Sequence, residues 1–407
     1  MKKTLLLQTA LVAAAGVMLA DASFAQVKAE PLGVTVGGYM TRTFKVQDRD
    51  KVTGSGQTDK APVTFGGPDA EIWFSLRAVL DNGLRIGGRV ELEGASDGDQ
   101  IDESYVWFEN DMGRIELGST DRVASKMQYF SPNSTISGQG TGQVSENSAI
   151  IAGTGNQAGG VSMWFANAAN DAEGINLYTS SNRYFGSKAG KGLQLGYSYT
   201  PDGCQDYNNA GGQFAAAATV TNCDNGFSST INGSVRNQHT FAANYLESFG
   251  DVSVALYAGY ISSRAEPTAA TAAAAVPKRV TGWNAGAQLT YALGGGSTVA
   301  VGGGLKREEV SATVDRNVYV VGLMYLTNGA APGSIGVGAD FWKAKGEEVG
   351  QADDTAKLFQ VGVSYQLATG IKLYGGAGTY EWEDGAAAIG AGDTKANFGL
   401  LGVNLVF

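Results

Sequence analysis

The side chains best placed to do chemistry in this chain are charged ones on alternate positions. Glu71, Arg77, Arg85, Arg89, Glu91 and Glu93 fall within two short runs, 70–80 and 84–94. A strand turns successive side chains to opposite faces, so these six share one face with Trp73, Ser75 and Val79. Ile72, Phe74, Leu76, Ala78, Leu80, Ile86, Gly88, Val90 and Leu92 take the other. Fixed charges backed by an apolar face suit the holding and sorting of ions in water. Bond-making by proton transfer needs a base that titrates near neutrality, and the chain has 1 histidine, His239, at a strand end. No phosphate-cradling loop, zinc spacing or nucleophile elbow is present. Cys204 and Cys223 lie in one polar, Gly/Asn-rich stretch. In an exported chain they are expected to form a disulfide contributing roughly 3 kcal/mol.

The elements that must position these residues are strands. Leu193, Leu195, Tyr197 and Tyr199 oppose Gln194, Gly196, Ser198 and Thr200; Phe359, Val361, Val363, Tyr365 and Leu367 oppose Gln360, Gly362, Ser364 and Gln366. Trp283 and Tyr291 close the two ends of one apolar face, about 26 Å apart along a strand. Tilted by about 40°, that is close to the ~25 Å apolar band between aromatic girdles of a membrane barrel. Sixteen such segments are expected, near 33–44, 70–80, 84–94, 103–110, 113–120, 171–181, 191–200, 238–247, 251–263, 280–292, 297–307, 315–327, 334–345, 355–367, 371–382 and 394–407. Tight turns such as Asp81-Asn82-Gly83 alternate with long connections such as 121–170 and 201–237. The last segment ends on Phe407, a terminus a membrane strand tolerates and a soluble one rarely buries. The fold expected is an all-β, transmembrane antiparallel β-barrel of about sixteen strands.

Residues 1–25 read as a secretory signal peptide, with Lys2 and Lys3 before an apolar run and Ser23-Phe24-Ala25 at the exit. Residues 26–407 then form a single barrel domain. The formal charge is −10, and losing Lys2, Lys3 and Asp21 with the leader makes it one unit more negative. An acidic chain argues against nucleic acid, which selects a basic stripe. Nothing calls for a cofactor, and two cysteines with one histidine are too few for a transition-metal site.

Four stretches resemble the general-diffusion porins of Gram-negative bacteria, of the α-proteobacterial type. They are Val34–Tyr39, Tyr105–Gly118, Ile175–Ser180 with Gly192–Pro201, and the closing Gly402-x-x-Leu405-x-Phe407, which is similar to the family's assembly signal. The resemblance implies a homotrimer of water-filled barrels in outer-membrane lipid and lipopolysaccharide, inserted by the outer-membrane barrel assembly machinery, with both termini periplasmic. It also implies a third loop, 121–170, folded into the lumen to form a constriction. Where the family places Arg after the glycine ending the fifth strand, Ser119 follows Gly118 here and Arg122 comes later.

Arg77, Arg85 and Arg89 are expected to form the basic wall of that constriction, with Glu91 beside them. Charged rings at a narrow point are how pores choose ions. A three-residue loop Asn82-Gly83-Leu84 would set Asp81 opposite Arg85 and Arg77 opposite Arg89. The loop should supply the opposing acids, yet between Thr120 and Asn170 it holds only Asp121 and Glu146. A mild cation preference therefore rests on overall charge. Three alternatives stay open: a substrate-selective channel using Tyr374, Tyr380 and Trp382 as an aromatic slide, a barrel enzyme using His239, and a soluble β-sandwich.

Overall fold

Hydrocarbon on one face of a strand and water on the other force alternation, and the computed structural model follows it along most of the wall. The structure describes residues 28–49, 63–94, 101–132, 163–165, 173–179, 184–187, 190–202, 235–265, 278–309, 314–329, 331–348, 353–383 and 394–407. The strands are β1 (Glu30–Arg49), β2 (Val63–Val79), β3 (Arg85–Glu93), β4 (Ile101–Glu109), β5 (Gly113–Ser119), β6 (Glu173–Thr179), β7 (Tyr184–Phe185), β8 (Gly192–Asp202) and β9 (Val235–Phe249). They continue as β10 (Val252–Ala265), β11 (Lys278–Gly294), β12 (Ser297–Glu309), β13 (Val314–Leu326), β14 (Ile335–Glu348), β15 (Asp354–Ala368), β16 (Ile371–Glu383) and β17 (Thr394–Val406). One four-residue helix, α1 (Val123–Lys126), follows β5.

Every neighbouring pair is antiparallel, and β1 pairs with both β2 and β17, so the sheet closes on itself. The short β7 and β6 both pair with β8 and share one stave, which makes the wall a closed barrel of sixteen strands. All sixteen expected segments fall on strands. Several strands run further at the long-loop end than the alternation suggested, as β1 does to Arg49 and β14 to Glu348. There the outward face turns polar (Lys343, Lys345, Glu347), so the period disappears while backbone pairing goes on.

Closure is made by main chain at the terminus. Gly38 and Phe407 exchange both backbone hydrogen bonds at 3.0 Å. A Cβ on Gly38 would strike the Phe407 ring, and one on Gly402 would strike the ring of Tyr374, whose hydroxyl meets Thr43 Oγ1 at 2.5 Å. Gly402 and Phe407, two residues of the expected assembly signal, thus take part in the seam. Leu405 pairs with Met40 there.

The third connection turns inward. α1 lies against the inner faces of β6, β8, β9 and β10. Wall side chains hold its main chain: Ser198 Oγ accepts from Val123 N–H at 2.9 Å, and Tyr257 Oη donates to Ala124 O at 2.6 Å. Asn244 Nδ2 donates to Met127 O, and Asn284 Nδ2 donates to Met163 O, each at 3.1 Å. Lys306 Nζ donates to Trp164 O. Glycines clear the path. A Cβ on Gly286 would meet Tyr129 O, one on Gly302 would meet Phe130 O, and one on Gly322 would meet Ser131 Oγ. Within Gly302-Gly303-Gly304 on β12, Gly302 faces Phe130 O and Gly304 faces the Phe130 ring.

Gly302→Val is therefore expected to lower stability by about 1–3 kcal/mol through overpacking. It should also expose new protease sites between Thr120 and Ser131. The denaturant midpoint and limited proteolysis read the two effects.

Candidate functional site

The sequence places a basic wall on β2 and β3, and the structure shifts its register. The connection between them is Asp81-Asn82-Gly83, closed by Leu80 N–H to Leu84 O at 2.9 Å, with Asn82 Oδ1 accepting from Leu84 N–H. Gly83 sits at φ 80°, the left-handed region glycine favours. Moving the loop by one residue moves the pairing by two. Arg77 stands opposite Gly87, Arg89 opposite Ser75, and Val79 opposite Arg85. The expected Asp81–Arg85 and Arg77–Arg89 pairs do not form, although all three arginines keep the inward parity.

The set also divides by height. Arg85 lies six residues from Glu91, about 20 Å along the strand. It is tied to Glu109 (3.4 Å) and to Asp111 in the adjacent turn (3.8 Å). Arg77 is at the same turn end and exposed. Arg89 alone reaches the level of the loop root, paired with Glu91 and 4.3 Å over the Trp73 ring. The structure therefore brings Arg89, Glu91 and Asp121 into one region and leaves Arg77 and Arg85 at the short-turn mouth. Glu146, Cys204, Cys223 and the leader 1–25 lie outside the described residues.

The acids that the loop lacks come from the wall. Val90 pairs with Ser104 and Leu92 with Ile101, so Asp102 and Glu103 together oppose Glu91 in a β-bulge. The bulge turns both carboxylates toward the lumen. One carboxylate oxygen each from Glu71, Glu91 and Asp102 lies within 4.8 Å of the others. Oxygens at that spacing suit a hard cation in geometry, though wet acidic groups also gather without one. The adjacent acids at 102–103 broke the alternation in the sequence, and that was the signal that would have found the bulge.

The loop root is latched to the same wall. Glu103 Oε1 accepts from Thr120 Oγ1 (2.7 Å) and from Asp121 N–H (2.9 Å). Lys126 Nζ reaches Glu116 Oε2 at 3.3 Å and lies 4.8 Å from the Tyr105 ring centre. Glu116 also pairs with Arg114 (2.9 Å) and accepts from Asn176 (3.0 Å). Arg122, which stands near the family's usual arginine position, is wholly buried and donates to Asn176 Oδ1. It braces the loop root away from the open lumen.

Burial first, and the Glu103 carboxylate next, push the Asp121 carboxyl up to about 6. Desolvation works against the Lys126 ammonium, but Glu116 and Glu103 outweigh it and raise its pKa.

Two remaining expectations resolve here. Tyr374, Tyr380 and Trp382 do face inward, but all three are buried, packed in one cluster with Trp342, Leu358 and Phe398. They form a packed inner wall and are not offered to solute as a slide. His239 faces outward, hydrogen-bonded to Tyr197 Oη at 2.9 Å and packed against Tyr199.

A closed barrel with an apolar exterior, a charged inner wall and a connection whose described residues, 120–132 and 163–165, seat on that inner wall is a membrane channel. Residues 8–385 match the family model for Gram-negative porins, and the chain belongs to that family. It is an outer-membrane barrel for the passive diffusion of small hydrophilic solutes. A search of curated proteins gave no match. Among solved structures, OmpT of Vibrio cholerae in its trimer form is similar over 93% of this chain and 100% of its own, at 13% identity and TM-score 0.56. An anion-selective porin from Comamonas acidovorans matches over 92% and 100%, at 16% identity and TM-score 0.56. Salmonella typhi OmpF in complex with daunomycin matches over 92% and 97%, at 14% identity and TM-score 0.54. At these identities the likeness is one of fold.

The raised Asp121 pKa sets a sign. The folded chain holds this proton more tightly than the unfolded one, so stability falls as pH rises from about 4 and levels above about 6. Asp121→Asn is expected to remove that fall, raising the melting temperature at pH 7 and leaving it unchanged at pH 4.

Proposed function

We propose that this chain is a general-diffusion pore with a mild cation preference, working as a homotrimer. The carrying observation is the acid-rich inner wall at the loop root. Glu71, Glu91, Asp102, Glu103 and Asp121 gather there around Arg89 and Lys126. An excess of fixed negative charge at a narrowing raises the local cation concentration. Arg85 answers Glu109 and Asp111 within its own wall, so it adds little to a field across the lumen. The constriction set is accordingly Arg89, Glu91 and Asp121 from the sequence together with Glu71, Asp102 and Glu103, with Glu146 of the same loop retained as a candidate. Arg77 and Arg85 act at the mouth.

The trimer is supported by the family and by the trimer form of the Vibrio OmpT relative. An even number of staves brings both termini to the short-turn end, which in bacterial barrels is periplasmic. Leader cleavage after Ala25, a Cys204–Cys223 disulfide in the fourth long connection, contact with lipopolysaccharide and insertion by the barrel assembly machinery complete the reading. The chain is not an enzyme on this reading, because its one histidine is spent on the outer face against tyrosines.

In planar bilayers the refolded protein should give large ohmic currents in three equal steps, with a reversal potential on the cation side under a KCl gradient. Glu71→Gln, Glu91→Gln and Asp102→Asn together should bring that potential to zero or beyond, and Arg89→Ala should move it further toward cations. Arg77→Ala should move it less. Absence of current would overturn the channel, and an unmoved potential in the triple variant would overturn the acidic constriction.

A further inference from the structure

The aromatic girdle does not run all the way around the barrel. On β8–β15 outward rings stand at two heights, Tyr260 and Trp283 on the long-loop side and Tyr291, Tyr325 and Tyr365 on the short-turn side. Such rings mark where a wall meets lipid headgroups. On β16, β17 and β1–β5 no described outward side chain is a tyrosine or a tryptophan. Those strands turn their rings inward, as Tyr39 does to Glu71, Trp73 to Arg89, Trp107 to Arg114 and Tyr374 to Thr43. Gly88, Gly375, Ala377 and Gly399 keep the outer face of this arc flat. A sector of wall without a girdle is built to meet protein, and its flatness lets another wall come close.

The same arc carries a charge at hydrocarbon depth. Arg42 is exposed on the outer face of β1, between Met40 and Phe44 and directly beside Val403 of β17. Val403 lies six residues below Asn397, the nearest polar outward side chain of β17, and four above Phe407. For strands tilted by about 40° these are heights of about 15 Å and about 10 Å. Both edges of the apolar band are thus farther from Arg42 than one side chain extends. Its own barrel offers it the Thr41 carbonyl at 2.8 Å and, among the described residues, no carboxylate. A guanidinium has five N–H donors, and hydrocarbon satisfies none of them. The complementary group stands on the other flank of the arc. Ser104 of β4 faces outward opposite Val90, five residues above the end of the strand at Glu109, or about 13 Å of height. Its hydroxyl makes no hydrogen bond among the described residues.

We propose that the arc from β16 to β5 packs against further copies of this chain, with Arg42 of each barrel donating to Ser104 of the partner subunit. A closed ring joins unlike patches, so each copy must carry both halves of the contact on one sector of its wall. A donor and an acceptor at matching depth, on opposite flanks of one arc, meet that requirement. Arg42 then makes the separated barrel costly, because only the assembled ring takes its guanidinium out of lipid. This deepens the proposed homotrimer and rests on it.

The test uses the full mature barrel in detergent. R42C/S104C, oxidised with copper phenanthroline, should run on a boiled, non-reducing gel as a covalent ring of three chains. R42C and S104C alone should run as single chains, and so should L256C/V361C on the lipid-facing wall. On unheated gels R42L should raise the ratio of free barrel to trimer at least tenfold, and R42K, which keeps a donor, should restore part of the trimer. The conductance step of R42L should equal that of wild type, since Arg42 faces away from the lumen. A wild-type trimer that persists undiminished in R42L would overturn the proposal. So would a failure of R42C/S104C to cross-link, or equal cross-linking of L256C/V361C, which would report random collision. These three results leave the homotrimer standing, whereas a wild type that never leaves the single-barrel state sinks both readings.

Discussion

The constraint on which the rest depends is a hydrogen-bond ladder without an end. Within hydrocarbon, a backbone N–H or C=O that is left over finds no water, and each such group costs several kcal/mol. The wall meets this by pairing β1 with both β2 and β17 and by tying Gly38 to Phe407. At the end of β6 a side chain joins the ladder. Thr179 Oγ1 accepts from Leu195 N–H at 3.0 Å. Once the ladder is closed, the inner face is free to be charged and the outer face must be apolar.

That division explains what the sequence made legible. Alternation within 193–200, 283–291 and 359–367 located strands because lipid and water impose opposite demands on neighbouring residues. The parity of β2 and β3 followed for the same reason, and Arg77, Arg85, Arg89 and Glu91 were correctly set on the inner face. What stayed hidden were features that leave parity intact or interrupt it over one residue. A hairpin loop displaced by one position moved Arg89 from Arg77 to Ser75. A single extra residue at Asp102 and Glu103 brought two acids into the lumen that regular alternation would have split. Register is set by turn chemistry and bulges, which a period of two does not record.

The inner charges are also more locally balanced than a picture of two opposing walls allows. Arg85 meets Glu109, Arg89 meets Glu91, and Arg114 meets Glu116, in each case on the same strand or the next. Two of these arginines stand on aromatic faces, Arg89 over Trp73 and Arg114 over Trp107 at 4.5 Å. A guanidinium held by a carboxylate and a ring keeps one orientation. The acids beside the loop root, Glu71, Glu91, Asp102 and Glu103, are where the inner wall carries its excess of negative charge, and the proposed cation preference rests on them.

The seat of the third loop has a consequence for how such a chain can diversify. Ser198, Asn244, Tyr257, Asn284 and Lys306 grip main-chain atoms of the loop, and Gly286 and Gly302 make room for its carbonyls. Other loop positions are held by their side chains, Thr120 on Glu103, Arg122 on Asn176, Lys126 on Glu116 and the Phe130 ring on Tyr257. Drift is uncoupled from anchorage only where the grip falls on main chain, so a lineage can alter those positions and what the channel admits while inheriting the docking unchanged.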